Sequence, residues 1–161
     1  SRGLGDVYKR QHLMIEKPER KLDTIIDAGA DIITIHQEST TRLYSCIEKI
    51  KSRGVKAGVV LSPATNEDTL KYVLDKIDMI LLMTINPGEA GPGFHEELLT
   101  KIKNVRELIG DRDIDLEVDG GIDNTNIAKC KEAGVNVFVS GGYVFKGDIA
   151  EKIKTLREAL K

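Results

Sequence analysis

Short apolar runs rich in β-branched residues alternate along the chain with longer segments of helical period, and the alternation recurs about every 20–35 residues. The runs fall at 12–15, 31–36, 56–61, 79–85, 114–118 and 135–139. Each is short enough for a strand buried on both faces, as strands are in a parallel sheet covered by helices. Between them, 41–53 sets Leu43, Ile47 and Ile50 on one helical face, and 96–109 does the same with Leu98, Leu99, Ile102, Val105, Leu108 and Ile109. Gly29, Gly54 and Gly134 each stand just past a helical stretch and just before a strand, where a left-handed C-cap residue is needed. The same turn chemistry three times over implies one repeated β/α unit. Six such units fit either an open doubly wound sheet or a (β/α)8 barrel short of two units.

Composition narrows the class without choosing between these two. The 161 residues are 40% hydrophobic and 31% charged, as in a globular domain with a real core, and no linker or compositional shift divides them. A net charge of −2, with 24 basic and 26 acidic side chains intermixed, gives no field favouring nucleic acid or an anionic membrane. No apolar run reaches the roughly 18 residues of a membrane span, and no stretch has the form of a signal peptide. Cys46 and Cys130 lie far apart without a CxxC or Cys/His cluster, so we expect reduced thiols in a cytoplasmic protein rather than a zinc site.

In parallel barrels, chemistry collects at the C-terminal ends of the strands. Those ends read "HLM", "TIH", "LSPAT", "LLMTINPGEAGPGF", "LEVDGGI" and "VSGGYVF". Each is weak alone, since a lone strand-end His is usually structural and "DGG" is usually a turn. Their order and spacing together carry the information. From residue 12 to about 160 the chain resembles the ribulose-phosphate 3-epimerase family, whose members carry "HLMI", "GADIITIH.E", "NPAT", "LLMTVNPGFGGQ.F", "EVDGGI" and "AGS.VF" in the same order. The resemblance implies a ribulose-phosphate-binding (β/α)8 TIM barrel, of which this chain has about six of eight β/α units. It also implies inversion at C3 of a ketopentose phosphate, interconverting ribulose 5-phosphate and xylulose 5-phosphate. The nearest alternative is a 3-epimerase of a hexulose phosphate such as allulose 6-phosphate. A lyase or decarboxylase on a related barrel would call for an Asp-x-Lys constellation, which the sequence lacks.

By position in these motifs, the resemblance makes His12 a metal ligand and Asp119 both metal ligand and catalytic base, with a divalent cation (Zn, Fe, Mn or Co) as cofactor. Such a cation would stabilise the charge that develops as the C3 proton leaves. Met14, His36 and Met83 are expected to line the pocket, and His95 to face solvent. Phosphate is expected at backbone amides of glycine turns, namely Gly88 and Gly91 after the fourth run, Gly120 and Gly121 after the fifth, and Gly141 and Gly142 after the sixth. A small sugar phosphate is thus the expected partner, with a homo-oligomer possible.

Three departures bear on activity. Glu89 stands where the family has an aromatic lid residue, bringing negative charge near a phosphate dianion. Gly142 replaces a serine and removes a hydroxyl donor. The family's "DVMDGHF"-like stretch, source of a second catalytic aspartate and a second metal-binding histidine, has no counterpart here. Residues 1–11 also resemble a translated sequencing-adapter fragment. The expectation is therefore a non-native leader at 1–11 and a partial barrel at 12–161, able at most to transfer a proton on one face, or an inactive fragment.

Overall fold

The computed structural model describes residues 9–86, 88 and 94–161. Six strands form one sheet: β1 (Arg10–Leu13), β2 (Ile32–His36), β3 (Lys56–Leu61), β4 (Met79–Met83), β5 (Asp115–Asp119) and β6 (Val137–Val139). Neighbours follow sequence order from β1 to β6 and every pair is parallel. A doubly wound sheet would reverse its strand order at a switch point, so the unbroken order selects an open barrel segment.

The register divides the strand residues between two faces. On one lie Leu13, Ile33, Ile35, Ala57, Val59, Leu61, Ile80, Leu82, Leu116 and Val118, all buried in the main core. The helices α1 (Leu22–Asp27), α2 (Leu43–Ser52), α3 (Leu98–Ile109), α4 (Ile127–Glu132) and α6 (Ile149–Ala159) all send residues into that same cluster, among them Leu22, Ile47, Ile102, Cys130 and Leu156. The short α5 (Gly141–Val144) follows β6. The other face carries a separate small apolar cluster, Val60, Leu81 and Met83, with the buried polar residues Thr34, His36 and Glu117 in the same layers. An α/β sheet with all its helices on one side and polar groups on the other is the interior wall of a barrel.

Gly29, Gly54 and Gly134 do adopt positive φ, at 84°, 74° and 114°. The first strand differs from the sequence reading: it begins at Arg10, not at 12, and ends at Leu13. Lys9 extends the pairing, its carbonyl accepting from the amides of Asp31 and Ile32. Residues 9–11 thus lie in the fold although the sequence reading put them in a leader. Charge at Lys9 and Arg10 hid the strand, and pairing with β2 supplied it. Met14 and Ile15 lie beyond the strand at its C-terminal end, 52% and 40% exposed. Residues 1–8, and with them most of the expected leader, lie outside the described residues.

Candidate active site

The strand pattern that buries one face puts chemistry on the other. His12, His36, Met83 and Asp119 all occupy inner-face positions at or next to the C-terminal ends of their strands. His12 and His36 meet directly: their Nε2 atoms are 2.7 Å apart, with ring centroids separated by 4.8 Å and ring planes inclined by 20°. Burial lowers both pKa values. His12 is pushed down to about 4, with His36 and the Arg10 guanidinium adding to the effect of burial. For His36, burial outweighs the upward pull of Glu38. Burial therefore favours the neutral form of both imidazoles.

Behind His36 lies Glu38, in a tight turn (Gln37–Ser39) after β2. One carboxylate oxygen faces His36 Nδ1 at 3.5 Å, and the other accepts from the Ser62 amide at 2.8 Å and from the Thr65 hydroxyl. Lys101 of α3 clamps that same 62–65 loop by donating to the carbonyls of Ser62, Pro63 and Thr65. A cavity of about 440 Å³ opens here, lined by Met14, Ile15, Glu16, His36, Glu38, Ser39, Ser62 and Gly88. Of the residues expected to line the pocket, Met14 and His36 share this cavity, together with Gly88, which was expected at the phosphate. Met83 instead packs with Val60 and Leu81 in the inner apolar layer.

Asp119 ends β5, paired in register with Met83 and Val139. Burial raises its pKa, against a smaller opposing effect of Arg10. Its carbonyl and that of Gly120 accept from the Thr84 hydroxyl, which ties the start of the "DGG" turn to the end of β4. Gly120 has φ 121°, and a Cβ there would stand 2.9 Å from the Ile85 amide nitrogen, so only glycine allows this approach. Gly121 also has positive φ, at 64°. Gly141 and Gly142 begin α5 with nothing within 4 Å of either Cβ position, leaving their backbone open to a ligand. Gly91 and Glu89 lie outside the described residues.

Sequence reasoning missed Arg10, Glu38, Lys101 and Glu117. Arg10 reaches from β1 to the wholly buried Glu117 of β5 and forms an ion pair with it. The other Glu117 oxygen is buried without a hydrogen-bond partner among the described residues. Only Glu38 had a signal in the sequence, as the last residue of "IHQE". Among the described residues, no group of three or more His, Cys, Asp or Glu side chains is arranged to hold a metal ion. A neutral imidazole at His12 and a carboxylate at Asp119 are donors that a divalent cation accepts, so their chemistry fits while their number falls short of a full set.

Comparison with known proteins adds ancestry to this geometry. Residues 3–145 match the sequence model of the ribulose-phosphate 3 epimerase family. The chain is 43% identical to the chloroplastic ribulose-5-phosphate-3-epimerase of Arabidopsis thaliana over 97% of this chain and 57% of that one. It is 41% identical to the ribulose-phosphate 3-epimerase of Bacillus subtilis over 97% of this chain and 74% of that one. With the Serratia marcescens enzyme of the same name, identity is 46% over 83% and 65%. The chain thus spans between about half and three quarters of the length of these relatives. Among solved structures, a 3-hexulose-6-phosphate synthase superposes with a TM-score of 0.71 at 24% identity, covering 91% of this chain and 70% of that one. The 3-keto-L-gulonate-6-phosphate decarboxylase of Vibrio cholerae gives 0.74 at 18%, covering 94% and 71%. At these identities the superpositions speak to the fold alone.

Proposed function

Because the chain belongs to the ribulose-phosphate 3-epimerase family, we propose that it carries acid/base and ligand groups for proton transfer at C3 of a ketopentose phosphate, the step that interconverts D-ribulose 5-phosphate and D-xylulose 5-phosphate in the pentose phosphate pathway. The observation that carries the reading is Asp119, an inner-face carboxylate at the end of β5 whose pKa burial raises.

The C3 proton is acidic because the neighbouring C2 carbonyl delocalises the charge left behind. Asp119, as carboxylate, takes that proton. Its raised pKa narrows the gap to the carbon acid and helps it return the proton afterwards. His12 and Asp119 would hold a divalent cation, which when bound supplies electrostatic stabilisation of negative charge on the substrate oxygens. The backbone amides around Gly120, Gly121, Gly141 and Gly142, with Gly88 at the cavity, are the groups offered to the phosphate. Met14 and His36 bound the sugar side of the cavity. Inversion needs a second acid/base group on the opposite face of C3, whereas exchange of the proton needs only Asp119. The reading places this chemistry in the cytoplasm, and no helix among the described residues is long and apolar enough to cross a membrane.

The test is exchange. With ribulose 5-phosphate and manganese in deuterated water, the chain is expected to replace the C3 proton by deuterium, followed by proton NMR. Asp119→Asn is expected to lower that rate by about 100-fold or more. Exchange at an unchanged rate in this variant would remove Asp119 from the mechanism.

A further inference from the structure

The strand-end motif "LSPAT" after β3 supplies a wall of the cavity and, so far, no chemistry. Alternation along β3 sends Ala57, Val59 and Leu61 into the main core and Val60 to the inner face. Ser62, the next residue but one after Val60, falls on the inner side as well, as His36 and Asp119 do at the ends of β2 and β5.

Both backbone polar groups of Ser62 are engaged. Its amide donates to Glu38 Oε1 at 2.8 Å, and its carbonyl accepts from the Thr65 amide at 3.0 Å and from the Lys101 ammonium at 2.9 Å. Lys101 is only 9% exposed and donates to the carbonyls of Pro63 and Thr65 as well, while the Thr65 hydroxyl donates to the same Glu38 oxygen. The loop is thus fastened from the β2 side and from α3 at once. What these contacts leave over is the Ser62 hydroxyl, which makes no hydrogen bond among the described residues while Ser62 lines the cavity. A hydroxyl on a fixed backbone has little freedom to lose when a ligand meets it, and it can both donate and accept.

Charge decides which part of a sugar phosphate suits this cavity. Glu16 and Glu38 stand on its wall and no Lys or Arg does. Two carboxylates repel a phosphate dianion but accept readily from sugar hydroxyls. Four of the glycines offered to phosphate lie after β5 and β6, and Gly88, which reaches the cavity, follows β4 between the two regions. A substrate laid across the strand ends with its phosphate toward β5 and β6 turns its other, hydroxyl-bearing end toward β3.

We propose that Ser62 is a sugar-binding residue whose hydroxyl contacts the non-phosphorylated, hydroxyl-bearing end of the substrate, on a loop that Glu38 and Lys101 hold in place. This deepens the epimerase reading and rests on it for the identity of the sugar phosphate.

Amide proton–nitrogen spectra of the ¹⁵N-labelled full chain, titrated separately with inorganic phosphate and with ribulose 5-phosphate, test it. Phosphate is expected to shift the amides of Gly121 and Gly141 and to leave Ser62 in place, whereas ribulose 5-phosphate shifts all three. Ser62→Ala keeps the engaged backbone, so it is expected to melt like the original and to bind phosphate equally well, while its affinity for ribulose 5-phosphate falls about 3- to 10-fold, the loss of one neutral hydrogen bond. A Ser62 amide that answers phosphate as strongly as ribulose 5-phosphate would put the anion in this cavity and overturn the proposal. So would a Ser62→Ala chain that binds ribulose 5-phosphate undiminished, or that loses affinity for both ligands alike. A chain that shows the expected shifts but exchanges no C3 proton would count against the epimerase reading and leave the sugar site standing.

Discussion

The ion pair between Arg10 and Glu117 shows how one residue can be held by the opposite wall of a sheet. Glu117 sits on β5 with no solvent exposure of its side chain, whereas Arg10, on β1, keeps a quarter of its own. Burial raises the Glu117 pKa more than Arg10 lowers it, and Asp119 and Asp115 add to the rise. Removing the cation alone leaves a buried carboxylate without its counter-charge. Arg10→Met is thus expected to cost about 3 kcal/mol at neutral pH, while Arg10→Met with Glu117→Leu recovers most of it, since an apolar pair replaces an ionic one of similar volume. The sign of the pH dependence follows from linkage. Where the folded pKa of an acid lies above its unfolded value, the native state binds more protons in between, and stability falls as pH rises through that window. Loss of Arg10 widens the window for Glu117 and for Asp119, so the deficit of the single variant should shrink as the pH is lowered from 7 toward 5. Urea denaturation at several pH values checks this, and a deficit constant with pH would show that Glu117 is not the group left unpaired.

At the scale of elements, the interior face tolerates no extra volume where β2, β3 and β4 meet. A Cβ on Gly58 would stand 2.7 Å from Thr34 Cγ2 and 3.3 Å from Met79 Cβ. Neither atom is the free end of a flexible side chain. Gly58→Ala should therefore destabilise by about 1–3 kcal/mol despite its better strand propensity, measured as a lower urea midpoint with unchanged m-value. The strand itself was readable, since 56–61 in the sequence is Lys56–Leu61 in the structure. The runs at 31–36 and 79–85 became β2 and β4 with their ends trimmed, and 41–53 and 96–109 became α2 and α3. Local period is enough for such elements because burial of one face decides them. The start of β1 was hidden because its evidence is pairing with β2, 22 residues further on, and not its own composition. Lys101 was hidden for the same reason. It reads as a solvent-facing lysine within α3, yet it is buried, and its ammonium is spent on carbonyls of a loop 36 to 39 residues earlier. In the candidate site, the strand-end motifs located His12, His36 and Asp119, and what they left out was the contact between the two histidines and the carboxylate of Glu38 beside His36.

Over the described residues, six parallel strands in sequential order form a sheet with two ends. Among the described residues β1 pairs only with β2 and β6 only with β5, so each presents a row of backbone donors and acceptors on its outer side. Closing the sheet on itself takes eight strands in this architecture, so these edges cannot satisfy one another. An open edge is a template for another chain unless charge, proline or a covering element protects it. At β6 the neighbouring surface invites contact as well. Phe145, Ile149 and Ile153 follow at four-residue spacing through the end of α5 and along α6, and are 76%, 47% and 38% exposed. Four-residue spacing sets Ile149 and Ile153 on one face of α6, forming a stripe that a second copy can bury while its edge strand meets β6. We therefore expect the chain to self-associate reversibly in the micromolar range, seen in sedimentation velocity as a weight-average coefficient that rises with concentration. Ile149→Lys with Ile153→Lys should move that rise to higher concentration without lowering the melting temperature, because both side chains already face solvent in the monomer. A single monomeric species at every concentration would mean that the edges are protected by something other than a second copy, and an association that ignores the two lysines would place the contact at β1.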